Sequence, residues 1–392
     1  MIEKPDNIVT VDCELSIIMP CLNEEETIGI CIEKALQFLS ENGVSGEVII
    51  ADNNSSDNSV NIANSYNIKV VNINKRGYGS AIMGGIAASS GRYIIFADAD
   101  DSYNFLELMP ILEKLRQGND LVMGNRFKGK ILPGAMSPLH RYLGNPVLSW
   151  IGRLFFETKI GDFHSGLRGF SRLAYDRMDL QTTGMEFASE VVVKAALLKL
   201  KITEVPINLF KDGRSHKSHL RSFRDGWRHL RFLLLYSPRW LFFYPGILSM
   251  LVGFIGFLWV IENPNDLIPD LQSMLIFMAA EIIGFQTSVF TVLTKTFAVH
   301  EKLLPTNIII EKILKRMTLE KGLIIGMTMV IIGLGGSLWS LIDWQYSNFK
   351  GIEEIGNLKY IIASITILSI GIQMIFSSFF YSMIQLENRS LN

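Results

Sequence analysis

Three carboxylates in the stretch FADADDSY follow a short apolar run, residues 93–97, that is typical of a buried strand. Because a turn need not keep the strand pleat, Asp98 and Asp100 can both point into one pocket. Two carboxylates about 4 Å apart repel by about 4 kcal/mol at an effective dielectric constant of about 20, and a divalent cation removes that penalty. Mg²⁺ and Mn²⁺ commonly bind one or two protein carboxylates together with substrate phosphates. The pair therefore predicts a metal that holds a diphosphate. The alternative, three acidic residues that cap a helix start, stays open.

The elements that must position these carboxylates are alternating strands and helices between residues 15 and about 210. The β-rich runs are LSIIMP, EVIIAD, IKVVNI, RYIIFAD and DLVMG. This alternation predicts an α/β domain with a mostly parallel, doubly wound sheet. Ligands bind such sheets beyond the carboxyl ends of the strands, where the strand order reverses. Asp52 and Asp98 each end a predicted strand, so we expect both to face one crevice.

Polar residues follow the first two predicted strands as well. Pro20, Asn23 and Glu24 follow the first strand, and Asp52 opens a polar turn after the second. Two strand ends of this kind suit a nucleoside base and ribose. The alternative is that the asparagines after Asp52 are ordinary turn formers.

A glycine-rich loop, NKRGYGSAIMGGI, opens the next predicted helix. Gly77 and Gly79 allow the backbone to approach a phosphate or sugar, and Lys75 and Arg76 supply positive charge. The loop fits neither the GxxxxGK[ST] nor the GxGxxG pattern, so it only supports the other motifs.

Membrane segments are predicted from composition, because 48% of the residues are hydrophobic and the mean hydropathy is +0.27. Four apolar runs of about 20 residues follow residue 240, each long enough to cross a bilayer as a helix. They cover approximately residues 241–261, 271–293, 322–342 and 358–384. The predicted domains are an N-terminal tail at 1–14, an α/β domain at 15–218, a juxtamembrane helix at 219–238 and a membrane domain at 239–392.

The juxtamembrane segment carries apolar and basic residues on different sides of a predicted helix. The apolar set is Phe223, Trp227, Leu230 and Leu234, and the basic set is Arg221, Arg224, Arg228 and Arg231. Such a helix lies in the membrane interface, with aromatic groups at the headgroup boundary and arginines near anionic lipid.

The distribution of charge predicts orientation and compartment. The loop between the first two spans has three acidic and no basic residues, whereas residues 294–321 include six lysines and arginines. By the positive-inside rule, the α/β domain and both termini are cytoplasmic, at the plasma membrane if the cell is prokaryotic. Residues 1–14 lack the apolar stretch of a secretory signal. The three cysteines fit reduced thiols, not a disulfide framework or a zinc site, and no nucleic-acid partner is predicted.

The order of these motifs resembles family 2 glycosyltransferases of the GT-A fold, and more narrowly the synthases that attach a hexose to dolichyl or polyprenyl phosphate. The resemblance covers approximately residues 15–240. It implies a Rossmann-like GT-A domain in which a nucleotide sugar and Mg²⁺ or Mn²⁺ bind at Asp98-Ala99-Asp100. The residues that it implies for the nucleotide sugar are Pro20, Asn23, Glu24, Asp52, Gly77, Gly79, Asp98, Ala99, Arg214 and Lys217.

The resemblance also implies an acceptor site. Arg126, Ser165 and Arg168 match positions that bind the acceptor phosphate, so Asp98, Asp100, Arg126 and Arg168 are the implied catalytic residues. The planar guanidinium of arginine suits bidentate phosphate binding, and the alternative is a salt bridge to a carboxylate.

Three further residues stay open. Related proteins often carry Gln where this chain has Ser102, so water or Asp101 is the alternative third metal ligand. Glu186 is a weaker prediction for sugar or acceptor contact, because it and Glu190 could instead pair with Lys194. Glu281 lies within the second predicted span, where a carboxylate is costly, and has either a functional or a structural role.

The implied reaction is inverting transfer of a hexose from UDP-glucose or GDP-mannose to polyprenyl or dolichyl phosphate, which gives a lipid-phosphate sugar for glycan biosynthesis or protein glycosylation. A phosphate with a second pKa near ~6 is largely ionised at neutral pH, so a strong general base is not required. Membrane lipids are the other predicted partners, and a homo-oligomer is compatible with the sequence. The alternatives are a processive polysaccharide synthase, although the QxxRW motif keeps only Arg239-Trp240, and a non-catalytic lipid-linked sugar carrier or flippase.

Overall fold

The computed structural model describes residues 13–215, 222–262, 267–301, 304, 318–346 and 358–386. The chain divides into two compact units, Met1–Leu233 and Leu234–Asn392. The predicted boundary near residue 218 lies outside the described residues, as does most of the predicted tail.

The first unit contains a seven-stranded sheet with the order β3-β2-β1-β4-β6-β5-β7. The strands are β1 (Leu15–Cys21), β2 (Gly46–Asp52), β3 (Lys69–Asn72), β4 (Tyr93–Phe96), β5 (Leu121–Asn125), β6 (Arg168–Ser171) and β7 (Ile202–Pro206). Only β6 runs against its two neighbours, β4 and β5, and the remaining pairs are parallel. This arrangement confirms the predicted mostly parallel sheet.

Helices connect the strands, and their apolar stripes explain why they pack on the sheet. They are α1 (Ile28–Glu41), α2 (Ser59–Ser65), α3 (Tyr78–Ala87), α4 (Met109–Arg116), α5 (Asn145–Phe156), α6 (Arg172–Met178) and α7 (Phe187–Leu197). A further helix, α8 (Ser222–Leu235), follows the last strand. In α1, six residues at helical spacing between Ile28 and Leu39 are buried. Strands β1 and β4 are apolar along almost their whole length and buried, as expected for strands covered on both faces.

The strand order reverses beside β1, because the chain moves from β1 outward to β2 and β3 and then returns to β4 on the other side. The ends of β1 and β4 therefore form the switch point at which α/β sheets bind ligands. Cys21 ends β1, and Phe96 ends β4 just before the acidic turn.

Within its described residues, the second unit contains four helices that are long and apolar enough to cross a membrane. They are α9 (Tyr244–Glu262), α10 (Leu267–His300), α11 (Leu319–Tyr346) and α12 (Leu358–Leu386). These helices confirm the four predicted spans and, with α8, the predicted order of elements. Near the starts of α10 and α12, Lys359 Nζ and Asp270 Oδ2 form an ion pair at 2.6 Å. Glu281 of α10 packs against Gly253 of α9, and its role stays a prediction.

Candidate active site

Two cavities open in the first unit at the switch point. Cavity A, of about 510 Å³, is lined by residues that follow β1 and β2, by the glycine-rich loop and by the acidic turn. Cavity B, of about 470 Å³, lies on the side of Arg126 and Ser165. Among the described residues, five line both cavities: Tyr78, Asp98, Asp100, Met185 and Asp225. The two predicted metal ligands therefore lie where the cavities meet.

The acid pair is held in place by hydrogen bonds. Asp100 Oδ1 accepts from the backbone N–H of Ser102 at 3.1 Å and from its hydroxyl at 2.5 Å. Asp100 Oδ2 accepts from Arg214 Nη2 at 2.7 Å. Burial and the neighbouring charge of Asp100 raise the pKa of Asp98 to about 6, although the Tyr78 hydroxyl bonds to it and lowers the pKa. Burial is thus the main reason why the charged form of Asp98 is disfavoured, and Arg214 and Arg126 offset part of this effect.

The donor set fits Mg²⁺ or Mn²⁺, because both predicted ligands are oxygen atoms and the pair would be stabilised by a cation. Across the described parts of the chain, no group of three or more metal-ligating side chains occurs, so the protein would supply two ligands and the substrate phosphates and water the rest. Ser102 orients Asp100 through its hydrogen bond. Asp101, the alternative third ligand, instead pairs with Lys34 at 2.6 Å and contributes to neither cavity.

Arg214 links the acid pair to the residue that follows β1. Its Nε donates to Glu24 Oε2 at 2.9 Å, and both residues line cavity A, while their contacts with the diphosphate and the nucleotide stay predictions. Burial raises the pKa of Glu24 to about 7, although Arg214 lowers it. Arg214 thus bridges two buried carboxylates in the wall of cavity A. Lys217 lies outside the described residues.

Of the other residues predicted to contact the nucleotide, some line cavity A and one instead stabilises a turn beside it. Pro20, Asn23 and Ala99 line cavity A. Asp52 does not, because its carboxylate accepts from the N–H groups of Asn54 at 3.1 Å and Ser55 at 3.2 Å, which closes the turn after β2. The structure thus assigns Asp52 a turn-forming position, and the asparagines that follow it reach the cavity instead.

Close packing requires glycine at two positions of the loop, which the sequence did not reveal. Gly77 has a φ of +139°, and a Cβ there would collide with the backbone of Thr183. A Cβ at Gly79 would collide with the carbonyl of Thr182. Gly77 lines cavity A, whereas Gly79 is buried against the neighbouring backbone and does not. Gly79 therefore serves close packing and not ligand contact.

Arg126 lines cavity B and is 8% exposed. It forms a bidentate salt bridge to Asp162, with Nε–Oδ2 at 2.7 Å and Nη2–Oδ1 at 2.8 Å. The predicted phosphate contact and the alternative salt bridge are therefore compatible, since Asp162 fixes the guanidinium at the cavity wall. Ser165 also lines cavity B and is fully buried, and its hydroxyl has no hydrogen-bond partner among the residues described. A ligand oxygen could satisfy that hydroxyl.

Arg168 lines neither cavity, so the prediction that it is a catalytic residue in the site is wrong. It is fully buried in β6 and donates to three backbone carbonyls, those of Phe163 at 2.9 Å, Ser165 at 2.8 Å and Ala188 at 2.6 Å. Burial lowers its pKa to about 10. Since its donors hold the segment that carries Ser165, Arg168 positions this wall of cavity B without lining the cavity.

We expect Arg168→Met to destabilise the first unit, because three buried carbonyls lose their donor and each such loss costs about 1–3 kcal/mol. Chemical denaturation of the full-length protein should show an unfolding midpoint well below that of the wild type. Arg153→Met is the matched control, since Arg153 is half-buried and makes one longer bond, 3.4 Å, to the carbonyl of Ile160. Equal midpoints for the two variants would contradict the structural position assigned to Arg168.

Glu186 immediately precedes α7 and lines neither cavity, whereas its neighbour Met185 lines both. Glu190 pairs with Lys194 at 2.9 Å, as the alternative interpretation held. The structure thus brings Met185, and not Glu186, to the centre of the site.

Two histidines of cavity B were missed in the sequence. Ser189 Oγ of α7 lies 3.3 Å from His164 Nε2 and 2.9 Å from His229 Nδ1, so the hydroxyl links the two rings. Burial lowers the pKa of His229 to about 4 and that of His164 well below its usual value. His229 lies one turn after Asp225 in α8, and that i, i+4 polar pair is the signal that could have revealed the buried face.

Stability should depend on pH through His229. Between pH 6.5 and about 4 the unfolded chain binds a proton that the folded protein does not, so the free energy of unfolding falls as the pH falls, by about 3 kcal/mol at pH 4. Arg168 and Arg228 oppose protonation of this ring, and Asp225 favours it. We expect the unfolding midpoint of His229→Asn to fall less between pH 7 and pH 5 than that of the wild type. Parallel losses in both proteins would refute this assignment.

The switch-point site and the four apolar helices define an enzyme with an α/β catalytic unit joined to a membrane unit. The family described as Glycosyl transferase family 2 matches residues 16–179, and its C-terminal transmembrane region matches residues 292–385. The low-salt glycan biosynthesis hexosyltransferase Agl6 of Haloferax volcanii is 34% identical over 368 residues, which cover 93% of this chain and 87% of that relative. The chain therefore belongs to glycosyltransferase family 2, and it is an integral membrane glycosyltransferase.

Two further similar proteins are more distant. A dolichyl-phosphate hexose transferase of Haloferax volcanii is 27% identical over 197 residues, which cover 50% of this chain and 82% of that relative. The crystal structure of glucosyl-3-phosphoglycerate synthase from Mycobacterium tuberculosis, in complex with Mn²⁺, uridine diphosphate and phosphoglyceric acid, has a TM-score of 0.47 at 20% identity. The structural match covers 57% of this chain and 78% of the synthase chain.

Proposed function

We propose that the protein transfers a hexose, with inversion, from a nucleotide sugar to a polyprenyl or dolichyl phosphate, and so makes a lipid-phosphate sugar for glycan biosynthesis. The observation that carries the proposal is that cavities A and B meet at Asp98 and Asp100. A nucleotide sugar in cavity A and a phosphate in cavity B would place the anomeric carbon between them. The names of the two Haloferax relatives support a hexosyl transfer and a dolichyl-phosphate acceptor.

Cavity A suits the nucleotide and its diphosphate. Asn23 and the asparagines after Asp52 offer amide groups beyond β1 and β2, where a base and ribose would lie. Arg214 and Arg76 line the same cavity and offer guanidinium groups to phosphate oxygens. A metal ion bound by Asp98 and Asp100 would neutralise negative charge on the departing nucleoside diphosphate.

Cavity B suits a phosphate monoester. Arg126 offers a guanidinium that Asp162 orients, and Ser165 offers a buried hydroxyl. The phosphate is largely ionised at neutral pH, so an oxygen can attack the anomeric carbon without a strong general base. Displacement from the side opposite the diphosphate inverts the configuration and gives a β-linked product from an α-linked donor.

Two helices of the first unit carry exposed apolar side chains of the kind that contact a membrane boundary. In α8, Phe223 is 86% exposed and Trp227 is 58% exposed. In α5 and the short π-helix before it, His140–Gly144, the side chains of Tyr142, Val147 and Trp150 are exposed, while other residues of that segment line cavity B. These surfaces support delivery of a lipid acceptor to cavity B, and we propose that the catalytic unit and both termini are cytoplasmic.

A donor screen tests this function. Purified full-length protein in lipid nanodiscs would be incubated with radiolabelled UDP-glucose or GDP-mannose, polyprenyl phosphate, and Mg²⁺ or Mn²⁺. We expect one donor to give a chloroform-soluble, metal-dependent product that carries a single hexose. A water-insoluble polymer would instead indicate a polysaccharide synthase, and binding of a lipid-linked sugar without transfer would indicate a carrier.

A further inference from the structure

Asp225 occupies a position that the reaction described above does not yet use. It is the third carboxylate that lines both cavities, beside Asp98 and Asp100, and it is 5% exposed. It comes from α8, whereas the other two follow β4. A helix adjoining the membrane domain in sequence thus contributes a buried acid to the point where donor and acceptor would meet.

The position of Asp225 is fixed by its own helix. His229, one turn later on the same face, lies with its Nδ1 2.9 Å from Ser189 Oγ of α7, and this contact holds that face of α8 against the catalytic unit. Arg224 Nε lies 3.8 Å and Arg228 Nη1 3.7 Å from Asp225 Oδ1, so two cations compensate the charge of the carboxylate. Both arginines line cavity A and not cavity B.

Charge decides which part of the substrates Asp225 can contact. The nucleoside diphosphate and the acceptor phosphate are anions, and a carboxylate repels both. The transferred hexose is uncharged, carries several hydroxyl donors, and must lie between the two anions for transfer to occur. It is therefore the substrate part that suits a carboxylate at the shared wall, while Arg224 and Arg228 face the diphosphate side.

We propose that Asp225 binds the hexose of the donor by accepting hydrogen bonds from its hydroxyls, and that it determines which hexose the enzyme accepts. The inference rests on the proposed function. A hydrogen bond to a buried charged group contributes more than one between neutral groups. A site built to bind a hydroxyl discriminates strongly against an analogue that lacks it or turns it away, because the hydrogen bond to the buried charged group is then lost.

The test compares binding of the sugar with binding of the nucleotide alone. Wild type, Asp225→Asn and Asp225→Ala, each full-length in nanodiscs with Mn²⁺, would be titrated with UDP and UDP-glucose, or with GDP and GDP-mannose. We expect both variants to bind the free nucleotide at least as tightly as the wild type, because a carboxylate that repels the diphosphate is removed. The ratio of the affinity for the nucleotide sugar to the affinity for the free nucleotide should be about tenfold lower in both variants than in the wild type. Asp176→Asn, an exposed carboxylate of α6, is the matched control and should keep the wild-type ratio.

Transfer kinetics provide the second measurement. For the preferred donor we expect kcat/KM of Asp225→Asn to fall about 30-fold. The preference of the variant for that donor over the donor with the C4-epimeric hexose, or with the C2 epimer if the hexose is mannose, should fall about tenfold. Unchanged epimer preference, or an equal loss of affinity for nucleotide and nucleotide sugar, would overturn the proposal. If the wild type transferred no hexose to polyprenyl phosphate, the proposed function would fail. The binding comparison would then still decide the role of Asp225.

Discussion

Asp100→Asn should reduce hexose transfer by about 10²- to 10³-fold, the usual effect of removing one preorganised electrostatic group from a transition state. The substitution keeps the size of the side chain and one carbonyl oxygen but removes its negative charge. It therefore weakens the pair that would bind the metal, and Arg214 loses one of its two carboxylate partners. The metal concentration for half-maximal activity should rise as well.

Asp101→Asn provides a close control for Asp100→Asn. Asp101 is the next residue, but its carboxylate pairs with Lys34 and lines neither cavity. We expect its transfer rate to stay within about threefold of the wild type, because a partly exposed ion pair contributes little. Initial rates at saturating donor, measured across a Mg²⁺ and a Mn²⁺ titration, would compare the two variants. If folded Asp100→Asn transferred hexose at the wild-type rate, the acid pair could not be the metal site.

The strands that position this acid pair could be predicted from the sequence because the local signal was strong. Residues 93–97 form a continuous apolar run before Asp98, and such runs are typical of strands buried on both faces. The resulting β4 lies beside β1, and Asp98 at its end lines both cavities, whereas Asp52 at the end of β2, which was expected to face the same crevice, lines neither. The prediction succeeded where the periodicity of the chain and the side-chain chemistry both indicated the same element.

Arg168 shows where sequence reasoning was insufficient. Its stretch, LRGFS, is short and contains a cation, so it did not resemble a strand, yet it forms β6 between β4 and β5. The three carbonyls that satisfy the guanidinium come from residues 163, 165 and 188, and only the folded chain brings them together. A buried arginine whose partners are backbone atoms leaves no pattern of acidic residues in the sequence.

The buried face of α8 was missed for a related reason. The sequence predicted an apolar side and a basic side, and the structure exposes Phe223 and Trp227 as that pattern requires. Asp225 and His229 form a third side, which in a lone helix could equally be a solvated polar face. His229 contacts Ser189 of α7, so the packing partner of this side had to be known first.

Arg126→Lys should lower kcat/KM for polyprenyl phosphate by about 100-fold while KM for the nucleotide sugar changes little. Lysine keeps the positive charge but loses the planar group that binds Asp162 through two nitrogens, so the cation is no longer held at the wall of cavity B. Asp162 is fully buried and would be left with a poorer partner, which adds to the loss.

Arg116→Lys separates the role of Arg126 from the general effect of replacing a bidentate arginine. Arg116 bonds Glu14 through Nε and Nη2 at 2.7 and 2.8 Å, the same geometry, but the pair is partly exposed and lies in neither cavity. We therefore expect wild-type kinetics from it. Asp162→Asn should resemble Arg126→Lys, because a guanidinium released from its carboxylate no longer points into cavity B. Were Arg126→Lys to raise the KM of the nucleotide sugar and leave that of the lipid phosphate unchanged, Arg126 would belong to the donor side and cavity B would not be the acceptor site.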